Sequence, residues 1–323
     1  MTKLEIRYQP RVLFRLSDSP ALRIPHSPLH TLMKPSHTIL LLLMNFCWAA
    51  VYSSYKVIGQ DVPSGAIVTL RFGLAGLCLL CAWPWLPGET PKGKDLGLTC
   101  LMGLLLYVVG QRMQVYGNQI GTAGNTAVLI AFEPLLVSVA AGIFLREHLG
   151  PRRLFGFALG ILGVALLNGL WRPDFRWTGL SASLLVLGSF VFEAAYTVMG
   201  KPIVMRAGAM KMLALSLLVG TAANLLIDGS STFAAAKSLS PEAWVLVAML
   251  AVVCTAVGYT VWFVVIRECP INVAALTVFA QSVFGVLIAA VWLGEKLKWD
   301  QLLGSLAIVA GLVVGLSRQV RNT

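Results

Sequence analysis

The sequence predicts an all-α integral membrane protein of about ten transmembrane helices, built as two inverted five-helix repeats with both termini cytoplasmic. Three observations carry this. Hydrophobic residues make up 57% of the 323 positions and charged residues 12%, with a mean hydropathy of +0.79. Soluble domains are roughly a quarter charged, so lipid must solvate most of this chain. The apolar residues fall into runs long enough to cross a bilayer, which takes about 20 residues each. Finally, one pattern occurs twice: Glu147, Leu149, Gly156 and Gly163 recur as Glu295, Leu297, Gly304 and Gly311.

In chain order, residues 1–37 form a basic tail with Pro10, Pro20, Pro25 and Pro28 and no apolar h-region. It reads as disordered, not as a signal peptide, and Met33 offers an alternative start. Repeat 1 covers 38–170, with spans at 38–57, 64–86, 97–117, 121–143 and 153–170. Repeat 2 covers 171–317, with spans at 178–198, 210–228, 242–266, 271–292 and 301–317, and 318–323 form a cytoplasmic tail. Pro63, Pro87, Pro91, Pro151, Pro173, Pro241 and Pro270 fall between spans, where a missing backbone N–H matters least. Glycines inside the spans allow the close helix approach that packing in lipid favours.

Lys and Arg set the orientation. With the N-terminus inside, 17 basic residues lie on the cytoplasmic side and six outside. Trp83, Trp85, Trp171, Trp177, Trp244, Trp292 and Trp299 flank span ends, as interfacial belts do. The net charge of +11 follows from this topology; no basic patch with interleaved aromatics suggests nucleic acid. Cys78 and Cys81 have CxxC spacing without companions for a metal site, so the cysteines read as small apolar packing residues.

The repeat extends backwards. Gly110 pairs with Gly258 and Glu133 with Gln281 at the same offset of 148, and Phe46, Ala50 and Tyr52 pair with Phe190, Ala194 and Tyr196 at 144. Five spans per half is an odd number, so the second copy lies upside down, with Glu147 inside and Glu295 outside. Inverted repeats of this kind bind substrate near the midplane. Trp48, the run Thr69-Leu70-Arg71-Phe72, the run Glu133-Pro134-Leu135 and the two Glu-x-Leu segments with their glycines make the chain resemble EamA-type transporters of the drug/metabolite transporter superfamily. It departs from their pattern at Ala49, Arg146 and Ser282. The resemblance implies a ten-helix carrier of small metabolites, commonly outward.

Ionisable groups within a bilayer are functional candidates by default. Glu133, near mid-membrane, is a candidate to hold a proton or a cationic substrate group, or else to partner Arg112 or Arg71. Arg112 is a candidate for a substrate carboxylate or phosphate. Arg71 and Glu193 are gate or structural candidates, Glu193 with a neighbouring lysine as an alternative partner. Among aromatics inside spans (Trp48, Tyr52, Tyr107, Tyr196, Tyr259 and Trp262), Trp48, Tyr52 and Tyr196 are expected to face a central cavity, with Asn45 and Gln281 adding uncharged polar contacts. No triad, metal cluster or phosphate-cradling loop supports enzyme chemistry, and no cofactor is called for. The reading is a multi-pass carrier of the inner cell membrane, monomeric or homodimeric. It exports a small amphipathic or amino-acid-like metabolite by alternating access, coupled to protons or exchange. Uptake or exchange of phosphorylated or nucleotide-linked compounds is the second reading, and a non-transporting membrane scaffold the third.

Overall fold

A computed structural model describes residues 33–59, 62–121, 123–175, 179–292 and 298–317. Glu295, Arg176, Trp177, residues 1–32 of the N-terminal tail and residues 318–323 lie outside these residues. The described chain forms helices α1 (Pro35–Ile58), α2 (Ser64–Cys81), α3 (Gly93–Ile120), α4 (in two pieces, Ala123–Ile130 and Glu133–Leu145) and α5 (Pro151–Leu167). The second half repeats the series as α6 (Leu180–Arg206), α7 (Ala209–Ser238), α8 (Pro241–Glu268), α9 (Ile271–Leu276 continuing through a tight turn into Ala280–Trp292) and α10 (Trp299–Leu316). Nine of these are long and apolar enough to cross a membrane. The tenth expected span is α5, whose 17 residues sit at the lower limit of that range.

Proline starts several helices as expected: Pro35, Pro151 and Pro241 occupy first turns, where no intrahelical N–H is needed. Starting at Pro35, α1 begins three residues earlier than the apolar run suggests.

The two glycines of each repeated motif form the seam between α5 and α10. A Cβ on Gly156 would lie 2.9 Å from the Gly311 carbonyl oxygen, and one on Gly163 would lie 2.7 Å from that of Gly304. The contacts are reciprocal, because a Cβ on Gly311 would meet the Gly156 oxygen at 2.8 Å. Numbers that rise on one helix as they fall on the other mean the two run antiparallel. That is the arrangement an inverted duplication requires. The repeat is therefore visible in packing as well as in sequence.

Large apolar side chains face outward along the spans, Leu226 at 90% exposure among them, while the mainly apolar interior also buries a set of polar and charged residues. Asn45, Arg71, Gln111, Lys201, Asn272 and Thr277 are all buried. A bilayer tolerates the first feature, and the second marks a functional interior. Cys78 and Cys81 are exposed on α2, which corrects the expectation that they pack between helices; Cys254 and Cys269 do. The reason is that this face of α2 turns outward while its Gly73 and Gly76 face α7.

Candidate functional site

Helical regularity fails in most of the spans around the centre of the molecule. α1 breaks after Trp48, and α4 tightens to i−3 hydrogen bonds at Ala131 and Phe132, directly before Glu133-Pro134. α3 is π-helical over Leu104–Gly110 and α8 over Leu250–Val257. The first segment ends at Gly110 and the second directly before Gly258, its repeat partner. Such irregular backbone deep in a membrane protein is tolerated where it lines a cavity, and π-helical turns concentrate at functional sites.

The glycines have a local purpose. A Cβ on Gly258 would lie 2.8 Å from the Trp48 indole nitrogen, and one on Gly110 would lie 2.8 Å from the Phe192 Cβ. Trp48 and Phe192 are themselves related by the 144-residue offset of α1 and α6. Each half thus drives an aromatic side chain against a glycine of the other half. Trp48 is also fixed by its indole N–H, which donates to the Cys254 carbonyl at 2.7 Å.

Between the halves lies a cavity of about 730 Å³, its mouth included. Its walls include Trp48, Tyr52, Glu133, Tyr196 and Gln281, all expected there, together with Arg71 and Glu193. Gln111, Gln114, Tyr259 and Trp262 complete the polar and aromatic lining. Glu133 of α4 and Glu193 of α6 both line this space and are partly exposed to it. The fold brings these two carboxyls, one from each repeat, to a single cavity. Gln111 and Gln114 both donate to Glu193 Oε1, at 2.7 and 2.9 Å. Arg71 is the cationic neighbour of Glu193. Its guanidinium donates to the Tyr55 hydroxyl and, at 2.9 Å, to Thr255, and stacks 4.7 Å from the Phe72 ring centre. Arg71 therefore ties α2 to α1 and α8 while lending charge to the cavity.

Other expected residues sit elsewhere. Arg112 does not line the cavity; it pairs with Asp228 at the kink of α7 and donates to Asn224 Oδ1 at 2.7 Å. The carboxylate on α7 draws the guanidinium away from the midplane, which corrects its placement beside Glu133. Asn45 lies one layer behind the wall, donating to Thr277 at 3.1 Å and accepting from Gln281 at 3.0 Å, so it orients Gln281 without facing the cavity. The Tyr196 hydroxyl is engaged by Tyr107 at 3.0 Å and Ser216 at 2.8 Å, which leaves its ring as the cavity surface.

A second cluster lies towards one end of the helices, outside the cavity lining. Glu147 accepts from Lys201 at 2.8 Å, from the Ile271 and Asn272 backbone N–H groups at 2.9 and 3.2 Å, and from Asn272 Nδ2 at 3.0 Å. It thereby caps the N-terminus of α9. Lys201 also donates to the Cys269 carbonyl at 2.8 Å and is fully buried. The lysine near Glu193 thus pairs with Glu147 instead. At the other end Lys56, related to Lys201 by an offset of 145, donates to the carbonyls of Gln119 and Gly121 at 3.0 and 2.6 Å. Gly121 is the repeat partner of Cys269. Sequence reasoning missed this pair, because its offset of 145 is one residue more than the 144 that relates Tyr52 to Tyr196.

The comparisons with known proteins agree with this architecture. A protein of known crystal structure superposes with a TM-score of 0.68 at 16% identity, over 86% of this chain and 94% of its own. An uncharacterized transporter of Archaeoglobus fulgidus is 25% identical, over 87% of this chain and 97% of the relative. The uncharacterized transporter YvbV of Bacillus subtilis is 27% identical, over 87% and 92%. A probable terminal-alkyne amino-acid exporter of Streptantibioticus cattleyicolor is 24% identical, over 85% and 91%. Residues 36–169 and 180–316 each match the EamA-like transporter family, and the chain belongs to that family.

Proposed function

We propose that this protein exports a small amphipathic or amino-acid-like metabolite across the inner cell membrane. The two five-helix halves rock about the shared cavity, with both termini in the cytoplasm. The observation that carries this is the cavity itself, walled by aromatic rings and carboxyls drawn from both repeats. Flat apolar surface with a few convergent polar groups suits a small ligand with one polar end. The relative named as an amino-acid exporter supports the substrate class. The Lys201 and Lys56 clusters, at opposite ends of the space, are placed where alternating access needs contacts that part and re-form. Coupling runs through Glu133. The experiment compares extracellular metabolites of cells with and without overexpression, then measures flux of the enriched compounds into vesicles holding the purified protein. Enrichment of compounds with an apolar body and one polar end, confirmed by flux, is the expected result. No protein-dependent flux of any compound refutes the reading.

A further inference from the structure

We propose that a pocket between the start of α5 and the end of α10 binds a phosphate group, supplied by the headgroup of an anionic phospholipid. The inference goes beyond the carrier reading and depends on neither a substrate nor a direction of transport.

The packing of the repeat builds this pocket. The glycine seam brings the last turn of α10 against the first turns of α5: a Cβ on Gly156 would lie 3.1 Å from the Gly315 Cα. The start of α9 adds Val273, and a space of about 360 Å³, its mouth included, opens between the three helices. Arg152 and Arg153 line it, and none of its described lining residues is acidic.

The arginines point to a phosphate. Arg153 is held by one nitrogen: its Nη1 donates to Asn272 Oδ1 at 2.6 Å and to the His148 carbonyl at 2.9 Å. Its Nε and Nη2 have no hydrogen-bond partner among the described residues. Asn272 is itself buried and fixed, because its Nδ2 donates to Glu147 at 3.0 Å. The guanidinium is thus preorganised, and its open edge presents the parallel N–H pair that grips two oxygens of one phosphate. Glu147 is already committed to Lys201, Asn272 and the α9 backbone. Arg152 adds a second positive charge to the same wall. The positive end of the α5 dipole and the negative end of the α10 dipole meet here, each equivalent to about half a charge, so they roughly cancel and the arginines set the sign.

The surroundings favour a lipid as the source. One turn deeper, Phe155 on α5 and Val313 on α10 are exposed. Phe155 stands three residues from Arg152, and Val313 four from Ser317, so each shares a helix face with a residue of the pocket rim. A lipid phosphate in the pocket lays its acyl chains on this apolar surface, which a soluble phosphate leaves unused. Basic pockets between membrane helices on the cytoplasmic side hold anionic headgroups, and the proposed topology puts both arginines on that side.

The test follows thermal unfolding of the full-length protein, purified in a neutral detergent, by tryptophan fluorescence. Saturating dioctanoyl phosphatidylglycerol should raise the midpoint by at least about 3 °C, since a ligand that binds only the folded state stabilises it. Dioctanoyl phosphatidylcholine, whose choline offsets the phosphate charge, should shift it by less than about 1 °C. Arg152→Gln and Arg153→Gln should each raise the phosphatidylglycerol concentration for half the shift by about tenfold, the loss of one charge-assisted contact. Lys94→Gln, which removes a basic residue outside the pocket, should leave it within about twofold. Inorganic phosphate should need a concentration at least about tenfold higher than the lipid, because it buries no chain. No shift with phosphatidylglycerol, an equal shift with phosphatidylcholine, or a full response in both arginine variants overturns the proposal. So does an equal loss in Lys94→Gln, which would reduce the effect to overall charge, or inorganic phosphate acting as strongly as the lipid. If Arg153→Gln does not fold, Arg152→Gln decides, because that side chain is exposed. None of these outcomes touches the carrier reading, which the vesicle flux decides.

Discussion

Replacing Glu147 by Ala should be strongly destabilising although the residue lies away from the cavity. The carboxylate accepts four hydrogen bonds, two from backbone N–H groups at the start of α9 and one from a lysine with no solvent exposure. Breaking a buried ion pair by removing one partner costs about 3–5 kcal/mol, because the remaining charge is left without compensation. Loss of the helix cap accounts for about 1 kcal/mol within that range. Lys201→Met should cost less, since Glu147 keeps its three donors from Ile271 and Asn272. The double substitution should therefore be less destabilised than the sum of the two singles, by about 2 kcal/mol or more of coupling. Thermal unfolding of the detergent-purified protein, followed by tryptophan fluorescence for all four proteins, measures each term. Additive effects, or a Glu147→Ala protein as stable as the parent, would refute the assignment of Glu147 as the charge that keeps Lys201 buried.

Three further outcomes follow from the packing. Gly163→Leu should abolish recovery of folded protein, because the α5–α10 seam is backbone against backbone, whereas Gly97→Ala, with open space around it, should be neutral or gain up to about 1 kcal/mol in thermal unfolding. Arg112→Met should lower stability and leave the affinity for transported compounds within about twofold. Adding Asp228→Asn should restore part of the stability, since the pair lies outside the cavity and an unpaired carboxylate is the main penalty. In a cysteine-free background, an impermeant maleimide added to intact cells should label Lys298→Cys and not Lys94→Cys. Labelling of both from the same side would refute the inverted topology.

The duplication was legible in sequence because glycine spacing survives where almost any other apolar residue can be exchanged. Gly156, Gly163, Gly304 and Gly311 recur since each must admit another backbone. The aromatic wall was legible for the same reason: Tyr52 and Tyr196 repeat, and the intramembrane position of Glu133 is costly enough to stand out. Arg112 was misplaced because depth along a helix says nothing of azimuth. It shares a helix with Gln111, yet one faces the cavity and the other α7.

Composition and periodicity alone determined that lipid is the solvent, where the helices run and that one half copies the other, since each is a property of a segment by itself. Which side chains meet is a property of helix packing. The meeting of Glu133 and Glu193 in one cavity, the lysine clusters at both ends and the withdrawal of Arg112 to Asp228 depend on rotations of α3, α4, α6 and α7 that only the tertiary structure decides.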